Sequence, residues 1–467
     1  MSESSSLLAF FSQMSNSGGI VVPDQPKLDL DLYIQNYAGR TRIDRLIQIG
    51  KSSVPLCVDA LKAAIVEAKA GSDITLYIEA WNCIRIAAPQ EPESQKDQAW
   101  IEKVERENKA ERARLESQLK QYRHNLIKES IRMGNEDMGQ HYEKTGYLDG
   151  ALEAYNRMRQ DVTTTKHIID CGVHLVNVYI AKRDWTMVLN NLGKIIGVQS
   201  GDEERTYQTY TKLVSGIALL GLKHYKDAAN SFLQIDFTLP PAQYNHIASP
   251  NDIAVYGGLL ALATMERKEL QARVLENQSF RSFLENESHV RKAISLFVNG
   301  RYSNCLSILE SVRNDYLLDV YLQRHISTLY SQIRNKCIVQ YFVPFSCVTL
   351  ETLNKAFAPE GGSVEAELVS MIREGILKAR LDTKNKLLIA VQPNPRFEMQ
   401  KQALNVAQEY EREAKERLRR MNIIAAGLEV VGKRQPNPGH AGRGIDEQWY
   451  DDVKGPGQAE ASRTLTT

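Results

Sequence analysis

Long apolar runs are missing from this sequence of 467 residues. None approaches the eighteen or so residues that a membrane-spanning helix needs, so we expect no membrane partner. The N-terminal residues 1–27 contain a short apolar patch with no basic residue ahead of it. Because a secretory signal begins with a positively charged region, we interpret residues 1–27 as a flexible tail.

An excess of charge of either sign is also absent, because 58 lysines and arginines balance 57 aspartates and glutamates to a net charge of +1. Such a balance gives no global attraction to nucleic acid or to an anionic membrane, although a local patch remains open. The six cysteines are scattered without a Cys-x-x-Cys pair, as is typical of free thiols in a reducing compartment. We therefore expect a cytoplasmic and nuclear protein.

Motifs of known reaction centres are scarce. The sequence contains no His-x-His pair, no His-Glu-x-x-His and no Gly-x-x-x-x-Gly-Lys-Ser/Thr phosphate loop. His167, Cys171 and His174 share one helix face near Asp170, which suggests part of a zinc site without a clear fourth ligand. Packing residues are the simpler interpretation, and a Cys-His hydrolase has no sharper support. We predict no catalytic, cofactor-binding or metal-binding residues, and no cofactor.

Helical periodicity dominates from about residue 30 to residue 341. Within it, four similar segments place an aromatic residue just after a short polar turn. Small or apolar residues follow three, four and seven positions later, on one helix face. The aromatic residues are 38, 40 and 77 positions apart, so a degenerate copy is expected near residues 268–275. The four aromatic residues are Tyr147, Trp185, Tyr225 and Tyr302.

Repeats of this length with paired helices are typical of an α-solenoid of the tetratricopeptide (TPR) kind. We predict a mostly α fold that begins with a TPR-like right-handed helical-repeat solenoid over residues 28–320. The alternative is a set of unrelated amphipathic helices that share one face pattern. Within residues 90–132, opposite charges often stand three or four positions apart, which predicts a long, largely solvated helix.

The last quarter of the chain predicts a winged helix over residues 321–395. Thr349 is placed to cap a short helix, and Gly375 is placed to end the helix that follows. Two apolar strands are expected at residues 378–382 and 386–392, joined by a short polar turn. This order of helices followed by a hairpin is that of a winged helix.

Many winged helices read DNA with their second helix, which requires lysines or arginines against the phosphates. Here that helix, residues 364–374, carries three glutamates and a single arginine, so a polyanion would be repelled. The wing carries four basic residues, which would contact phosphates weakly or protect strand edges from wrong pairing. We therefore expect no specific nucleic-acid partner.

Assembly with other proteins is the better interpretation. Residues 387–391 form an apolar strand centre, which we interpret as an edge strand able to pair with a neighbour's strand. The long C-terminal helix predicted at residues 396–431 carries apolar residues at alternating fours and threes, as in a coiled-coil seam, with Arg417 as the exception. Residues 432–467 are predicted to be a disordered tail. The candidate interaction residues are Leu387, Leu388, Ile389, Ala390, Val391, Tyr410, Met421, Ile424 and Leu428.

These elements in this order resemble the PCI-domain family, which is shared by the proteasome lid, the COP9 signalosome and a translation initiation factor. The likeness runs from about residue 28 to residue 431, and the PCI module would cover residues 225–395. LYSQIRNKCIVQYFVPFSCVTLETLNKAF and VEAELVSMIREGILKARLDTKNKLL are most similar to the subunit 1 family of the COP9 signalosome. Residues 334–341 favour that family over its proteasome-lid paralogue, which is the alternative.

The resemblance implies a non-catalytic scaffold subunit in a complex that removes Nedd8 from the cullins of SCF-type ubiquitin ligases. Its partners would be other PCI subunits and a separate metalloprotease subunit, with cullin-RING ligases as a further candidate. In that family the winged helices pack side by side and the C-terminal helices gather into a bundle. An RNA-associated PCI protein and a free-standing enzyme are the remaining alternatives.

Overall fold

The structure, a computed structural model, describes residues 2–198, 202–237, 244–358, 362–391 and 395–428. It separates into a compact unit, Met1–Val391, and a second unit, Gln392–Thr467. None of the described helices is long and apolar enough to cross a membrane. The first twelve helices are α1 (Ser2–Asn16), α2 (Leu30–Gln35), α3 (Arg40–Ser52), α4 (Cys57–Ala70), α5 (Ile74–Ala87), α6 (Gln98–Asn125), α7 (Lys128–Lys144), α8 (Leu148–Met158), α9 (Thr165–Lys182), α10 (Trp185–Val198), α11 (Asp202–Gly221) and α12 (Tyr225–Leu233).

The second half of the chain continues the helices and adds one small sheet. Within the described residues, its three strands lie after the helix that ends at Phe342 and before the second unit. The elements are α13 (Pro250–Thr264), α14 (Arg267–Leu270), α15 (Gln278–Asn286), α16 (Ser288–Val298), α17 (Tyr302–Tyr316), α18 (Gln323–Phe342), β1 (Cys347–Thr349), α19 (Leu350–Phe357), α20 (Glu365–Arg373), β2 (Ala379–Asp382), β3 (Leu387–Ala390) and α21 (Pro395–Ala425).

The prediction of a flexible tail over residues 1–27 is wrong. Residues 2–16 form α1, and the side chains of Phe10 and Phe11 are buried in a cluster with residues of α3, α4 and α5. Val22 then pairs with Ser53 in an isolated β-bridge. The short apolar patch is therefore one face of an amphipathic helix, and burial of its two rings holds it on the neighbouring helices.

The mostly α, helical-repeat fold is confirmed. Each aromatic residue of the four repeated segments stands at the beginning of a helix: Tyr147 directly before α8, and Trp185, Tyr225 and Tyr302 as the first residues of α10, α12 and α17. The small residues on the same faces are buried against the preceding helices, and the pairs α7–α8, α9–α10, α11–α12 and α16–α17 pack closely. In the first repeat the Tyr147 ring lies over Gly150, where the Cβ of any other residue would come within 2.2 Å of it.

The degenerate copy expected near residues 268–275 has no two-helix form. The short helix α14 passes directly into a π-helical turn, Gln271–Leu275. The centre of this region is instead α13, where eleven consecutive residues from Asp252 to Leu262 are buried. A helix that is buried all round shows no single apolar face, so the repeat spacing does not describe it.

The predicted charged helix exists as α6, which has 28 residues. Its buried residues are Ile101, Val104, Leu115 and Leu119, and the rest of its surface is solvated. Ion pairs such as Arg112–Glu116, at 2.8 Å, join successive turns on that surface. Pairs of this exposed kind stabilise a helix by a few tenths of a kcal/mol each.

A buried ionic cluster ties the N-terminal helices to the second half of the compact unit. Arg45 of α3 is fully buried, and its guanidinium donates hydrogen bonds to Asp252 at 2.8 Å and to Asp319 at 2.7 Å. The Tyr256 hydroxyl donates to Asp319 at 2.7 Å, and the Tyr37 hydroxyl donates to Asp252 at 2.9 Å. This arrangement fixes α3 against α13 and against the segment between α17 and α18.

The winged helix follows α18. The side chain of Thr349 accepts a hydrogen bond from the Thr352 amide and caps α19, as predicted. Gly375, at φ +75°, follows α20 in a conformation that costs glycine little. The predicted strands correspond to β2 and β3, but a third strand, β1, was not predicted. Met1–Val391 form one compact unit, in which the solenoid and the winged helix are not separated from each other. The bounds given above for the solenoid and the winged helix therefore stay predictions from the sequence.

The second unit is described only by residues 395–428, which include α21. The helix ends at Ala425, earlier than the predicted residue 431, because Gly427 takes φ +65°. The amide of Leu428 then donates to the Ile423 carbonyl, which closes the helix end. The predicted disordered tail, residues 432–467, lies outside the described residues.

Candidate interaction surfaces

The wing strand β3 has one buried face and one exposed face. Leu388 is 0% exposed and packs into the main core. Ile389 and Val391 point the other way and are 40% and 39% exposed. Leu387 and Ala390 are half-buried. Because side chains alternate along a strand, the apolar run divides into a core anchor, Leu388, and an exposed pair suited to contact another protein.

The interpretation of β3 as an edge strand is wrong. The sheet order is β1-β3-β2, with β3 antiparallel to both neighbours. Val348 of β1 stands opposite Leu388, and Leu381 of β2 stands opposite it on the other side. Both hydrogen-bonding edges of β3 are therefore occupied within the chain. Within the part of the chain that the structure describes, the outer strands β1 and β2 each have one edge without a paired strand, and such an edge is open to a neighbour's strand.

The acidic helix α20 is held by an arginine of α18. The guanidinium of Arg334 donates to both carboxylate oxygens of Glu367, at 2.7 and 3.0 Å, and to the Phe357 carbonyl at 2.7 Å. Glu365 and Glu374 remain exposed at the two ends of the helix. A phosphate backbone would meet these carboxylates first, so the geometry disfavours docking of α20 in a DNA groove.

Lys336, also on α18, is a structural residue that sequence reasoning missed. Its ammonium group donates to the carbonyls of Leu262 and Met265 at the end of α13. Burial lowers the pKa of Lys336 to about 8. A cation at the C-terminus of a helix satisfies carbonyls that have no partner within the helix and complements the helix dipole. Arg334 and Lys336 therefore join α18 to the winged helix on one side and to α13 on the other.

The predicted seam of α21 is exposed. No residue of this helix is buried, and Tyr410, Met421 and Ile424 are all exposed. Leu428, placed within the helix by the sequence, lies beyond its end and is exposed as well. Arg417, the polar exception in the seam, pairs with Glu413 at 3.5 Å. An apolar stripe without cover on a 31-residue helix indicates a surface for another helix.

His167, Cys171 and His174 have protein partners of their own. The Cys171 thiol is buried and lies 3.5 Å from the Tyr155 carbonyl, and burial raises its pKa to about 11. The His174 ring stacks on Tyr155 with centroids 4.9 Å apart. His167 lies 3.8 Å from Glu129. These are packing contacts, and within the described residues no group of three or more His, Cys, Asp or Glu side chains is arranged to hold a metal ion.

Two families match the chain. The PCI domain family matches residues 309–391, which contain α18, the winged helix and both wing strands. The family described as 26S proteasome subunit RPN7 matches residues 97–273, in the helical part. Together with the winged helix at the end of a helical repeat, the first match defines a PCI-domain protein.

Individual relatives narrow this class. The chain is 50% identical to COP9 signalosome complex subunit 1 of Neurospora crassa over 430 residues, which cover 92% of this chain and 94% of that protein. It is 46% identical to the protein of the same name from Emericella nidulans, covering 88% of this chain and 84% of that protein. For the Arabidopsis thaliana protein the identity is 37%, covering 86% and 91%. The chain belongs to the COP9 signalosome complex subunit 1 family.

Proposed function

We propose that this chain is a non-catalytic scaffold subunit of a COP9 signalosome. The observation that carries the proposal is the likeness along almost the full length to relatives that bear this name, at up to 50% identity. A scaffold role also agrees with the described residues. Among their exposed apolar groups, Ile389 and Val391 on the wing and the stripe on α21 suit contact with other proteins.

The winged helix would supply one contact of this scaffold. Among the described residues no strand pairs with the outer edges of β1 and β2, and Ile389 and Val391 lie exposed on the face of the sheet. Neighbouring PCI subunits are the partners that such edges suit, since an added strand gains main-chain hydrogen bonds without requiring a particular sequence. The corrected sheet order thus moves the predicted contact from the edges of β3 to those of β1 and β2.

The helix α21 would supply a second contact, in a bundle with the C-terminal helices of other subunits. Its exposed apolar residues Tyr410, Met421 and Ile424 repeat on one stripe. Burial of such a stripe is worth roughly 25 cal/mol for each Å² of apolar surface removed from water. Further partners in the proposal are a separate metalloprotease subunit and cullin-RING ligases, from which the complex removes Nedd8. The proposed location is cytoplasm and nucleus.

A subunit of the proteasome lid is the second candidate function. The match of residues 97–273 to the family described as 26S proteasome subunit RPN7 favours it. That match covers the helical part only, whereas the COP9 relatives align across the helical part, the winged helix and α21. The longer likeness makes the COP9 assignment the stronger one.

Affinity purification of the tagged full-length chain from its own cells, followed by mass spectrometry, separates the two candidates. We expect several PCI proteins and one metalloprotease subunit to co-purify in comparable amounts. Recovery of proteasomal ATPases instead would support the lid assignment and overturn the proposal. A tagged chain shortened after residue 391 serves as a matched control, because it keeps the compact unit and lacks α21.

A further inference from the structure

A groove of about 510 Å³ lies between the beginning of α9 and the end of α10, beside the turn that follows α8. Its lining is largely apolar, and Cys171, Leu175 and Ile195 form the buried part of it. Ile168, which is 40% exposed, also lines the groove. The volume falls in the range of roughly 300–1,000 Å³ that is typical of ligand sites, so the groove can receive an apolar side chain.

Two glycines shape the groove. At Gly172 of α9 an added Cβ would come within 2.6 Å of the Ile195 side chain, so α9 and α10 approach closely there. At Gly197, near the end of α10, an added Cβ would meet no atom within 4 Å, although this residue lines the groove. A larger residue at position 197 would therefore occupy space at the groove without a clash at its Cβ. Gly193, one turn earlier, has the same open space but does not line the groove.

The charged residues that line the groove are both cations. Arg159 directly follows α8, and Lys194 lies on α10. Both are exposed, and neither forms an ion pair with a described residue, whereas Arg157, two positions before Arg159, pairs with Glu153 at 3.1 Å. No acidic residue is among the described residues that line the groove. Carboxylates are therefore the groups that complement the charge at its rim.

The beginning of α7 continues this cationic and apolar surface. His167, at the beginning of α9, lies 3.8 Å from Glu129 in the first turn of α7. The carboxylate of Glu129 is engaged by Arg132 at 2.7 Å. Lys128, directly before Glu129, is exposed and forms no ion pair with a described residue, and Ile127 is 54% exposed. A bound segment that leaves the groove toward α7 would therefore meet a second cation and a second apolar side chain.

The combination of an apolar groove and a cationic rim separates the possible anionic partners. The phosphates of a nucleic acid would pair with the cations but would leave the apolar lining unfilled, whereas a peptide supplies both kinds of group. We propose that the groove between α9 and α10 binds an acidic segment of another protein, with an apolar side chain between Ile168 and Ile195 and carboxylates on Arg159 and Lys194. None of these residues belongs to the winged helix or to α21, so the groove adds a third contact surface. The proposal does not require the COP9 assignment.

Selection of random peptides displayed on phage against the immobilised full-length chain tests the proposal. We expect the enriched peptides to carry a net negative charge together with a large apolar side chain. The most enriched peptide is then synthesised with a fluorescent label, and its Kd for the full-length chain is measured by fluorescence anisotropy. No enrichment, or enriched peptides without an excess of carboxylates, would overturn the proposal. A labelled polyuridine strand that binds more tightly than the peptide would assign the cations to nucleic acid, and this also overturns it.

Variants of the full-length chain place the peptide in the groove. Gly197→Trp should raise its Kd about tenfold, because the indole fills the groove, whereas Gly193→Trp on the same helix should leave the Kd unchanged. Replacing both rim cations, Arg159→Gln with Lys194→Gln, should also raise the Kd about tenfold, and the matched control Arg157→Gln should not. Equal Kd values for the two tryptophan variants, or for the rim variant and its control, would overturn the proposal. Circular dichroism of each variant confirms that the helices are intact.

Discussion

The cluster around Arg45 gives the sharpest test of how the chain holds together. The guanidinium is fully buried and is shared by Asp252 and Asp319, while the Tyr37 ring stacks on it with its centroid 4.0 Å away. Burial raises the pKa of Asp252, and the charge of Arg45 is the main influence that opposes this rise. The substitution Arg45→Met keeps most of the side-chain volume and removes the charge. Two carboxylates are then left in the interior without a cation.

We expect Arg45→Met to lower the free energy of unfolding by about 3–5 kcal/mol, the range for one partner removed from a buried ion pair. The matched control is Arg42→Met on the same helix, because Arg42 is 33% exposed and pairs with Glu67 at 3.4 Å. An exposed pair of that kind is worth about 1 kcal/mol or less. Urea unfolding followed by circular dichroism measures both variants.

A compensating variant separates loss of charge from loss of packing. Asp252→Asn and Asp319→Asn remove the two negative charges that Arg45 neutralises. The triple variant combines Arg45→Met with both Asp→Asn changes. If uncompensated charge is the main cost, it should recover at least half of the stability that Arg45→Met loses. Such recovery is expected because the effects of substitutions at residues in contact are not additive. A loss below about 1 kcal/mol in Arg45→Met, or equal losses in Arg45→Met and Arg42→Met, would refute the reasoning.

Three further predictions concern the wing, the C-terminal helix and pH. Leu388→Asp should unfold the winged helix, since it buries a charge in the core. Ile389→Asp should keep native circular dichroism but weaken co-purification of PCI partners. The reverse pattern would contradict the assignment of Leu388 to the buried face of the sheet and of Ile389 to the exposed face. A chain shortened after residue 391 should stay folded and enter the complex poorly, and normal entry would count against a bundle role for α21. Burial raises the pKa of Glu287 to about 7, with a further contribution from the charge of Asp252. In the unfolded chain the same carboxyl loses its proton near pH 4.5. The free energy of unfolding should therefore fall as the pH rises from about 4.5 to about 7. Glu287→Gln should flatten that slope in urea unfolding at pH 5 and pH 8, and an equal slope in the variant would contradict the assignment.

Local signals in the sequence predicted the helical repeat because each signal acts over a few residues. An aromatic residue after a turn followed by small residues marks a close helix contact, as at Tyr225 with Ala228 and Ala229. The Thr349 cap and the turn at Gly375 are likewise properties of short segments. Patterns of this kind depend on neighbours in the chain, and these neighbours are visible in the sequence.

Pairings between residues far apart in the chain were missed, because a local pattern does not show which distant residues will meet. Strand β1 is three residues long and becomes a strand only through pairing with β3, forty residues later in the chain. That pairing converts the supposed edge strand into the central one. Arg45 meets Asp252 and Asp319, more than two hundred positions away, and nothing in the local pattern of α3 marks it as buried. The buried α1 was missed because five apolar residues near a terminus are too few to show a helical period.

The central claim is that the chain contributes protein contacts and leaves the reaction to another subunit. The most direct measurement is cleavage of a Nedd8–cullin conjugate by the purified single chain, beside the intact particle isolated through the same tag at equal molar amounts. The account predicts that the particle releases Nedd8 and that the single chain, folded by circular dichroism, releases none over the same time. Release of Nedd8 by the single chain would contradict the account.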